Sequence, residues 1–344
     1  MNSVPPLATS ENTASETECQ ILSEVPRDQK AHATEHGVYV IGDSLKLLSS
    51  EAYEFLHGKV DLIMTSPPFP LNKKKSYGNL QGEAYLEWFA QMGPIFTRLL
   101  SDTGSVVIEL GNSWEPGRPV QSLLHLEALM SLVKQPGSEL RLIQQCINHN
   151  PSRLPSPAQW VTVERCRLVD SFTHVWWLAK TDTPNADNRR VLRPYSRAMK
   201  NLLKRGAYNS GKRPSNHSVT EGSFLKDQGG AIAHDVIEVK PINPDREYRP
   251  PDILSLANTA SNDAYHRICK QRGITPHPAR MHPGLAAFFI QFLTEANGLV
   301  VDPFAGSNTT GFVAEMLGRS WLSFDVNDAY ADHSKVRFDA REEA

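Results

Sequence analysis

The segment Asp61-Leu62-Ile63-Met64-Thr65-Ser66-Pro67-Pro68-Phe69-Pro70 constrains the fold more than any other stretch of the chain. Its short apolar run reads as a buried strand, and that strand delivers a serine and two consecutive prolines to its carboxyl end. In open α/β sheets, ligands gather at the carboxyl ends of the strands. The segment is therefore read as a site, and the rest of the chain must build a sheet around it.

The residue types at this site suit attack by a weakly nucleophilic exocyclic amine. On cytosine or adenine the amino lone pair is delocalised into the ring, so acceptors must draw the two amine hydrogens aside before the nitrogen can attack. Ser66 offers a side-chain oxygen and Pro67 a main-chain carbonyl. The Pro67-Pro68 pair has fixed φ and no N–H, which holds its carbonyls rigidly with no competing donor. Phe69 offers a flat face, and such stacking is worth about 1–3 kcal/mol per base. A bare Ser-Pro-Pro is also compatible with a simple proline turn, so the remaining chain has to decide.

With 344 residues, 40% hydrophobic and 8% aromatic, the chain has enough apolar content for one large core and a second, smaller unit. A net charge of −2 excludes capture of a polyanion by the overall field, so such a partner needs a local basic patch. Cys19, Cys146, Cys166 and Cys269 lack the spacing of a zinc site or a disulfide framework, so no metal and a reducing cytoplasm are expected. No apolar run approaches the ~20 residues of a membrane span, and the N-terminus lacks a secretory pattern. Nothing implies an obligate protein partner, and a monomer is expected. Residues 1–35, rich in Ser, Thr, Glu and Pro, are expected to form a disordered leader.

Order is expected from Val38-Tyr39-Val40-Ile41-Gly42-Asp43-Ser44, a β-branched strand ending in an acid that serves equally as a ligand acceptor or as a helix N-cap. Past the proline motif, Lys73, Lys74 and Lys75 form a basic loop suited to phosphate contact. Residues 85–100 have the spacing of one amphipathic helix, and 104–110 read as a buried strand. A helix over 119–133 and strands over 140–148 and 172–180 follow. Strands alternating with helices give a mostly parallel α/β sheet.

Composition then shifts. Between positions 189 and 213 lie Arg189, Arg190, Arg193, Arg197, Lys200, Lys204, Arg205, Lys212 and Arg213. Surface helices normally mix both signs, whereas one-sign density beside turn-rich sequence fits a face turned toward nucleic acid. The expected organisation is a catalytic half over 36–181, a DNA-binding unit over 182–273, and a second catalytic half over 274–344.

That last part restores the α/β pattern. Leu299-Val300-Val301-Asp302-Pro303-Phe304-Ala305-Gly306-Ser307-Asn308-Thr309-Thr310-Gly311 reads as strand, tight turn and helix start, with helix N–H groups free for an anion. It is not a P-loop, because Phe312 stands where the phosphate-binding lysine would be. About twenty residues on, Asp325 ends the next strand, where a carboxylate suits a ribose diol. A turn for a small zwitterion plus that acid is what S-adenosylmethionine requires. Its carboxylate can meet the helix start near Ser307, Asn308 and Thr309, and Asp302 can receive its ammonium.

Thr65-Ser66-Pro67-Pro68-Phe69 followed by Asp302-Pro303-Phe304-Ala305-Gly306-Ser307 resembles the amino-group DNA methyltransferases of the β class, in which the catalytic motif precedes the cofactor motif. Serine at Ser66 looks like the cytosine-N4 branch. The resemblance extends to Asn150-Pro151-Ser152-Arg153-Leu154-Pro155 and to His277-Pro278-Ala279-Arg280, and covers most of the chain from Val38 onward.

It implies a seven-stranded mixed α/β S-adenosylmethionine-dependent methyltransferase fold with circularly permuted motif order, interrupted over 182–273 by a target-recognition domain. It further implies Asp43 near the cofactor adenine and Asp302 to Gly306 around the methionine moiety, with Thr65, Ser307, Asn308 and Thr309 also among the cofactor-binding residues. Asp325 would meet the ribose, and His277, Pro278 and Ala279 would close the pocket. Ser66, Pro67, Pro68 and Phe69 would hold a cytosine flipped out of double-stranded DNA, as in the modification enzyme of a restriction-modification system. Relatives of this type carry aromatics just before the Asn150-Pro151 match, where this chain has Asn148 and His149; either His149 stacks instead or that wall of the pocket differs. An adenine-N6 methyltransferase shares the cofactor features, and a catalytically inactive DNA-binding regulator is the alternative from another class.

Overall fold

Neighbouring side chains on the central strands leave for opposite faces of one sheet. In the computed structural model Val38, Val40, Val106, Ile108, Leu322 and Phe324 enter one core, while Tyr39, Val107 and Trp321 enter the other. Burial on both faces is what a sheet covered by helices on both sides demands. The structure describes residues 21–69, 80–150, 153–208, 210–212, 214–215, 217–220, 222–238, 264–278 and 280–342.

In chain order the first half comprises β1 (Lys30–Ala33), β2 (Gly37–Ile41), α1 (Ser44–Leu47), β3 (Val60–Thr65), α2 (Gly82–Ala90), α3 (Met92–Leu99), β4 (Leu100–Leu110), α4 (Leu124–Lys134), β5 (Arg141–His149) and β6 (Phe172–Ala179). The second half comprises α5 (Arg197–Arg205), β7 (Gly211–Lys212), β8 (Ser218–Val219), β9 (Val236–Glu238), α6 (Ala264–Gln271), α7 (Pro283–Leu293), β10 (Leu299–Asp302), α8 (Thr309–Met316), β11 (Ser320–Asp325) and α9 (Tyr330–Glu342). Helices α2, α3 and α4 cover one face and α7, α8 and α9 the other.

The main sheet runs β1-β2-β11-β10-β3-β4-β6-β5-β9. Its five strands from β2 to β4 are mutually parallel, and β6 is antiparallel to both its neighbours. From β10 the chain crosses through α8 to β11 on one side, and from β3 it crosses through α2 and α3 to β4 on the other. The strand order therefore reverses between β10 and β3, and the crevice at their carboxyl ends is where such sheets bind ligands.

The sheet has nine strands and not the expected seven. The two additional strands are its edges: β1 is antiparallel to β2, and the three-residue β9 is parallel to β5. Lys-Ala-His-Ala in β1 lacks the apolar pattern of a core strand, so its place is set by pairing and not by burial.

Residues 21–35, expected to belong to a disordered leader, are instead ordered. Leu22 and Val25 are buried, Gln29 Oε1 accepts from the Tyr53 hydroxyl at 2.6 Å, and residues 30–33 form β1. Two buried apolar side chains are too few to register as a pattern in the sequence. Residues 1–20 lie outside the described residues. The unit expected over 182–273 is stitched into the rest of the molecule: Asn185 N–H donates to Thr103 O, Asp187 N–H to Phe292 O, β9 joins the sheet, and Tyr265 and Ile268 of α6 pack with Val336 of α9.

The single helix expected over 85–100 is two. Pro94 lacks an N–H and is tolerated only in a first turn, so α2 stops at Ala90 and α3 restarts at Met92. Among the described residues no helix is long and apolar enough to cross a membrane.

Candidate active site

Five adjacent parallel strands end on one cavity of about 470 Å³. Across the sheet from β2 to β4, the polar residues they bring to its lining are Asp43, Asp325, Asp302, Ser66 and Glu109. The register explains the order: Asp325 lies opposite Ile41, Val301 opposite Ile63, and Thr65 opposite Ile108. Each strand places its polar residue at or just past the same level of the sheet.

The turn after β10 is tied down on every side. Asp302 Oδ1 accepts from Thr65 Oγ1 at 2.7 Å and from the Phe304 N–H at 3.1 Å. Asp325 Oδ2 accepts from the Gly306 N–H at 2.9 Å, while the Tyr39 hydroxyl donates to Gly306 O at 2.8 Å. Gly306 has φ +50°, and a Cβ there would lie 2.9 Å from His277 Nε2. Glycine is required both for the left-handed backbone and for the closeness of the His277 wall. His277 in turn sits edge-on to Tyr330, with centroids 4.4 Å apart. Burial raises the Asp302 carboxyl from 3.8 to about 6 and also pushes Asp325 up.

On the β3 side, Ser66 is half-buried and Pro67 buried at the cavity wall. The Tyr85 hydroxyl of α2 donates to Pro68 O at 3.1 Å, fixing the second proline. The Phe69 ring lies against Gly111, where a Cβ would meet Phe69 Cε2 at 2.6 Å. That close approach is possible only because residue 111 has no side chain.

Thr65 is fully buried behind the cavity lining, where it donates to Asp302. Ser66, Pro67, Pro68, Phe69, Asp43, His277, Asp302, Pro303, Phe304, Ala305, Gly306, Ser307, Thr309 and Asp325 all line the cavity. Asp43 also caps α1, accepting from the Lys46 N–H, and the cap leaves it in the cavity wall. Asn308 does not line the cavity. Its Nδ2 donates to Ser334 Oγ, its Oδ1 accepts from Ser323 Oγ, and its own N–H goes to Ala305 O, so it serves the turn from within. Pro278 stands outside the lining, and Ala279 lies outside the described residues.

Among the basic residues singled out from sequence, Arg197, Lys200, Lys204 and Arg205 are exposed on α5, a helix capped by the Ser196 hydroxyl and carrying no buried residue. Arg193 pairs through its backbone with Ala231, and Lys212 is exposed on β7. Lys73, Lys74, Lys75 and Arg213 lie outside the described residues.

Sequence reasoning missed Glu109. It is 7% exposed, it lines the cavity, and its Oε1 accepts from Asn148 Nδ2 at 2.9 Å and Thr173 Oγ1 at 2.7 Å. Burial pushes its carboxyl up, partly offset by those two bonds. The signal was present as a charge inside the apolar run Val106-Val107-Ile108-Glu109-Leu110. At the departure noted above, His149 does not line the cavity, and Asn148 donates to Glu109.

The chain is similar to known proteins. The chain is 39% identical to Type II methyltransferase M.PvuII of Proteus hauseri over 310 residues, 90% of this chain and 85% of that protein. Type II methyltransferase M.HpaI of Haemophilus parainfluenzae matches a shorter stretch, 29% identical over 99 residues, 28% of this chain and 31% of that protein. A solved PvuII DNA methyltransferase (cytosine-N4-specific) superposes with a TM-score of 0.67 at 33% identity, covering 90% of this chain and 89% of that one. The DNA methylase family model matches residues 60–336, from the strand that delivers Ser66 through the helix behind the glycine turn. The chain therefore belongs to the DNA methylase family.

Proposed function

We propose that the chain transfers a methyl group from S-adenosylmethionine to the exocyclic N4 of a cytosine turned out of duplex DNA, as the modification enzyme of a restriction-modification system. The observation that carries this reading is the shared cavity: the turn after β3 and the turn after β10 open into one space at the reversal of strand order. The Proteus hauseri relative is named a Type II methyltransferase, and the solved PvuII enzyme is named cytosine-N4-specific.

The donor set fits the cofactor. The buried carboxylate of Asp302 and the half-buried one of Asp325 suit an ammonium and a ribose diol. Among the described residues, Thr309 Oγ1 at the start of α8 is buried without a hydrogen-bond partner and lines the cavity, which leaves it free for the methionine carboxylate. When bound, S-adenosylmethionine supplies an electrophilic methyl group on a sulfonium sulfur.

The chain's own residues prepare the acceptor. Ser66 Oγ and the Pro67 carbonyl accept the two amine hydrogens and draw N4 toward tetrahedral geometry, while Phe69 stacks on the ring. Glu109, one residue past the Ile108 that faces Thr65, takes the proton that N4 sheds on methylation. Its raised proton affinity strengthens it as a base. Extruding the base costs a few kcal/mol, and the exposed cations of α5 hold the duplex by its phosphates. The test is incubation with duplex DNA and S-adenosylmethionine, followed by nucleoside analysis by mass spectrometry. N4-methyldeoxycytidine is expected; N6-methyldeoxyadenosine alone would replace this reading with the adenine one.

A further inference from the structure

Tyr265 lies outside the cavity lining, on α6, in a segment that sequence reasoning assigned to DNA recognition. It is 4% exposed, and every part of the side chain is engaged. Its hydroxyl accepts from the His277 N–H at 3.1 Å and lies 2.6 Å from His333 Nδ1. Two guanidinium groups rest on its ring, that of Arg280 at 4.9 Å and that of Arg337 at 4.7 Å from the centroid.

These interactions lead to two different walls of the cavity. His277 and Arg280 belong to the segment that closes over Gly306. Arg337, on α9, donates from Nε to Ser307 O at 2.6 Å and from Nη2 to Ser307 Oγ at 2.8 Å, and so fixes the turn after β10 from behind. Arg337 is itself 5% exposed, so its orientation is set by what surrounds it. One ring thus touches the group that holds the turn, and one hydroxyl holds the backbone of the wall facing it. The Tyr265 hydroxyl accepts from the His277 N–H and shares a further hydrogen bond with His333 Nδ1, whose direction is set by the histidine tautomer.

We propose that Tyr265 is a positioning residue for cofactor binding, fixing the His277 wall through its hydroxyl and the Ser307 turn through the guanidinium stacked on its ring. The proposal rests on the S-adenosylmethionine reading above. Tyr265 touches neither substrate, so its loss loosens the geometry of the cofactor site and leaves the acceptor turn after β3 untouched.

The test compares the full-length wild type with Tyr265→Phe and Tyr265→Leu, reading KM for S-adenosylmethionine, kcat at saturating cofactor, and thermal unfolding. Tyr265→Phe removes one buried hydrogen-bonding group while keeping the ring, and is expected to raise KM about tenfold with kcat within about twofold. Tyr265→Leu also removes the guanidinium stack and is expected to raise KM further. A variant that merely unfolds in part loses kcat at unchanged KM, so that pattern in Tyr265→Phe, or no change at all, overturns the assignment. Wild-type protein that fails to bind S-adenosylmethionine overturns the underlying reading, and this assignment with it.

Discussion

Thr65 donates its hydroxyl to Asp302 across 2.7 Å, joining the strand that leads to the acceptor turn to the strand that leads to the cofactor turn. Both residues are buried, and they lie 237 positions apart in the chain. Replacing Thr65 with valine keeps the shape and removes the donor, leaving a buried carboxylate with one partner fewer. A loss of about 1–3 kcal/mol of stability is expected from a bond to a charged group, measured by urea unfolding. Cofactor affinity should fall with it.

The state of Asp302 sets a pH dependence. Its folded pKa is raised by burial to about 6 from 3.8. Proton binding therefore favours the folded apo protein below pH 3.8, and that contribution is lost as pH rises through about 6. The cofactor ammonium requires the ionised form, so affinity should run the other way. Below about pH 6, titration calorimetry should record roughly a tenfold loss of S-adenosylmethionine affinity per pH unit. An Asp302→Asn variant should bind weakly without that slope.

Much of this arrangement was legible in the sequence, and the reason is local. The prolines after β3 and the glycine turn after β10 are residue types that few other contexts require, and each follows a short apolar run. The edge strands β1 and β9 were not legible, because β1 carries no core-strand pattern and the two apolar residues of the three-residue β9 are too few to register as one. Glu109 was passed over inside a run that read as core, and Asn148 was read as a departure when it is that residue's partner. Tyr265 and Arg337 could not have been found from spacing, since their links to the site exist only once α6 and α9 pack together.

Glu109 gives a sharper chemical prediction. Glu109→Gln preserves size and can still meet Thr173, but it cannot take a proton. Single-turnover transfer to duplex DNA should fall by about 10²–10⁴-fold, the usual contribution of a positioned general base. Cofactor affinity should hold within about twofold.

The close approach of Gly111 and Phe69 can be tested from the glycine side. A methyl group at residue 111 would sit 2.6 Å from the ring, so Gly111→Ala must displace Phe69. KM for DNA is expected to rise by about 5–150-fold, matching the roughly 1–3 kcal/mol of one stacked base, while S-adenosylmethionine binding stays as it was. Equal loss of both affinities would instead show general damage to the cavity.

For α5, the exposed cations should make duplex binding salt-dependent. Exchanging Arg197, Lys200, Lys204 and Arg205 for glutamine should flatten the slope of log affinity against log salt by about 0.9 for each phosphate no longer neutralised. Fluorescence anisotropy with a labelled duplex across a salt series measures it; an unaltered slope would remove α5 from the DNA face.

The most direct test of one shared cavity is Ser66→Ala, assayed in a single turnover with methyl-labelled S-adenosylmethionine and duplex DNA. Label transfer to cytosine N4 should drop by about 10²-fold or more, as when one such polar group is removed from a reacting centre, with cofactor affinity unchanged. Undiminished labelling of cytosine by the alanine variant would contradict the placement of the acceptor at the end of β3.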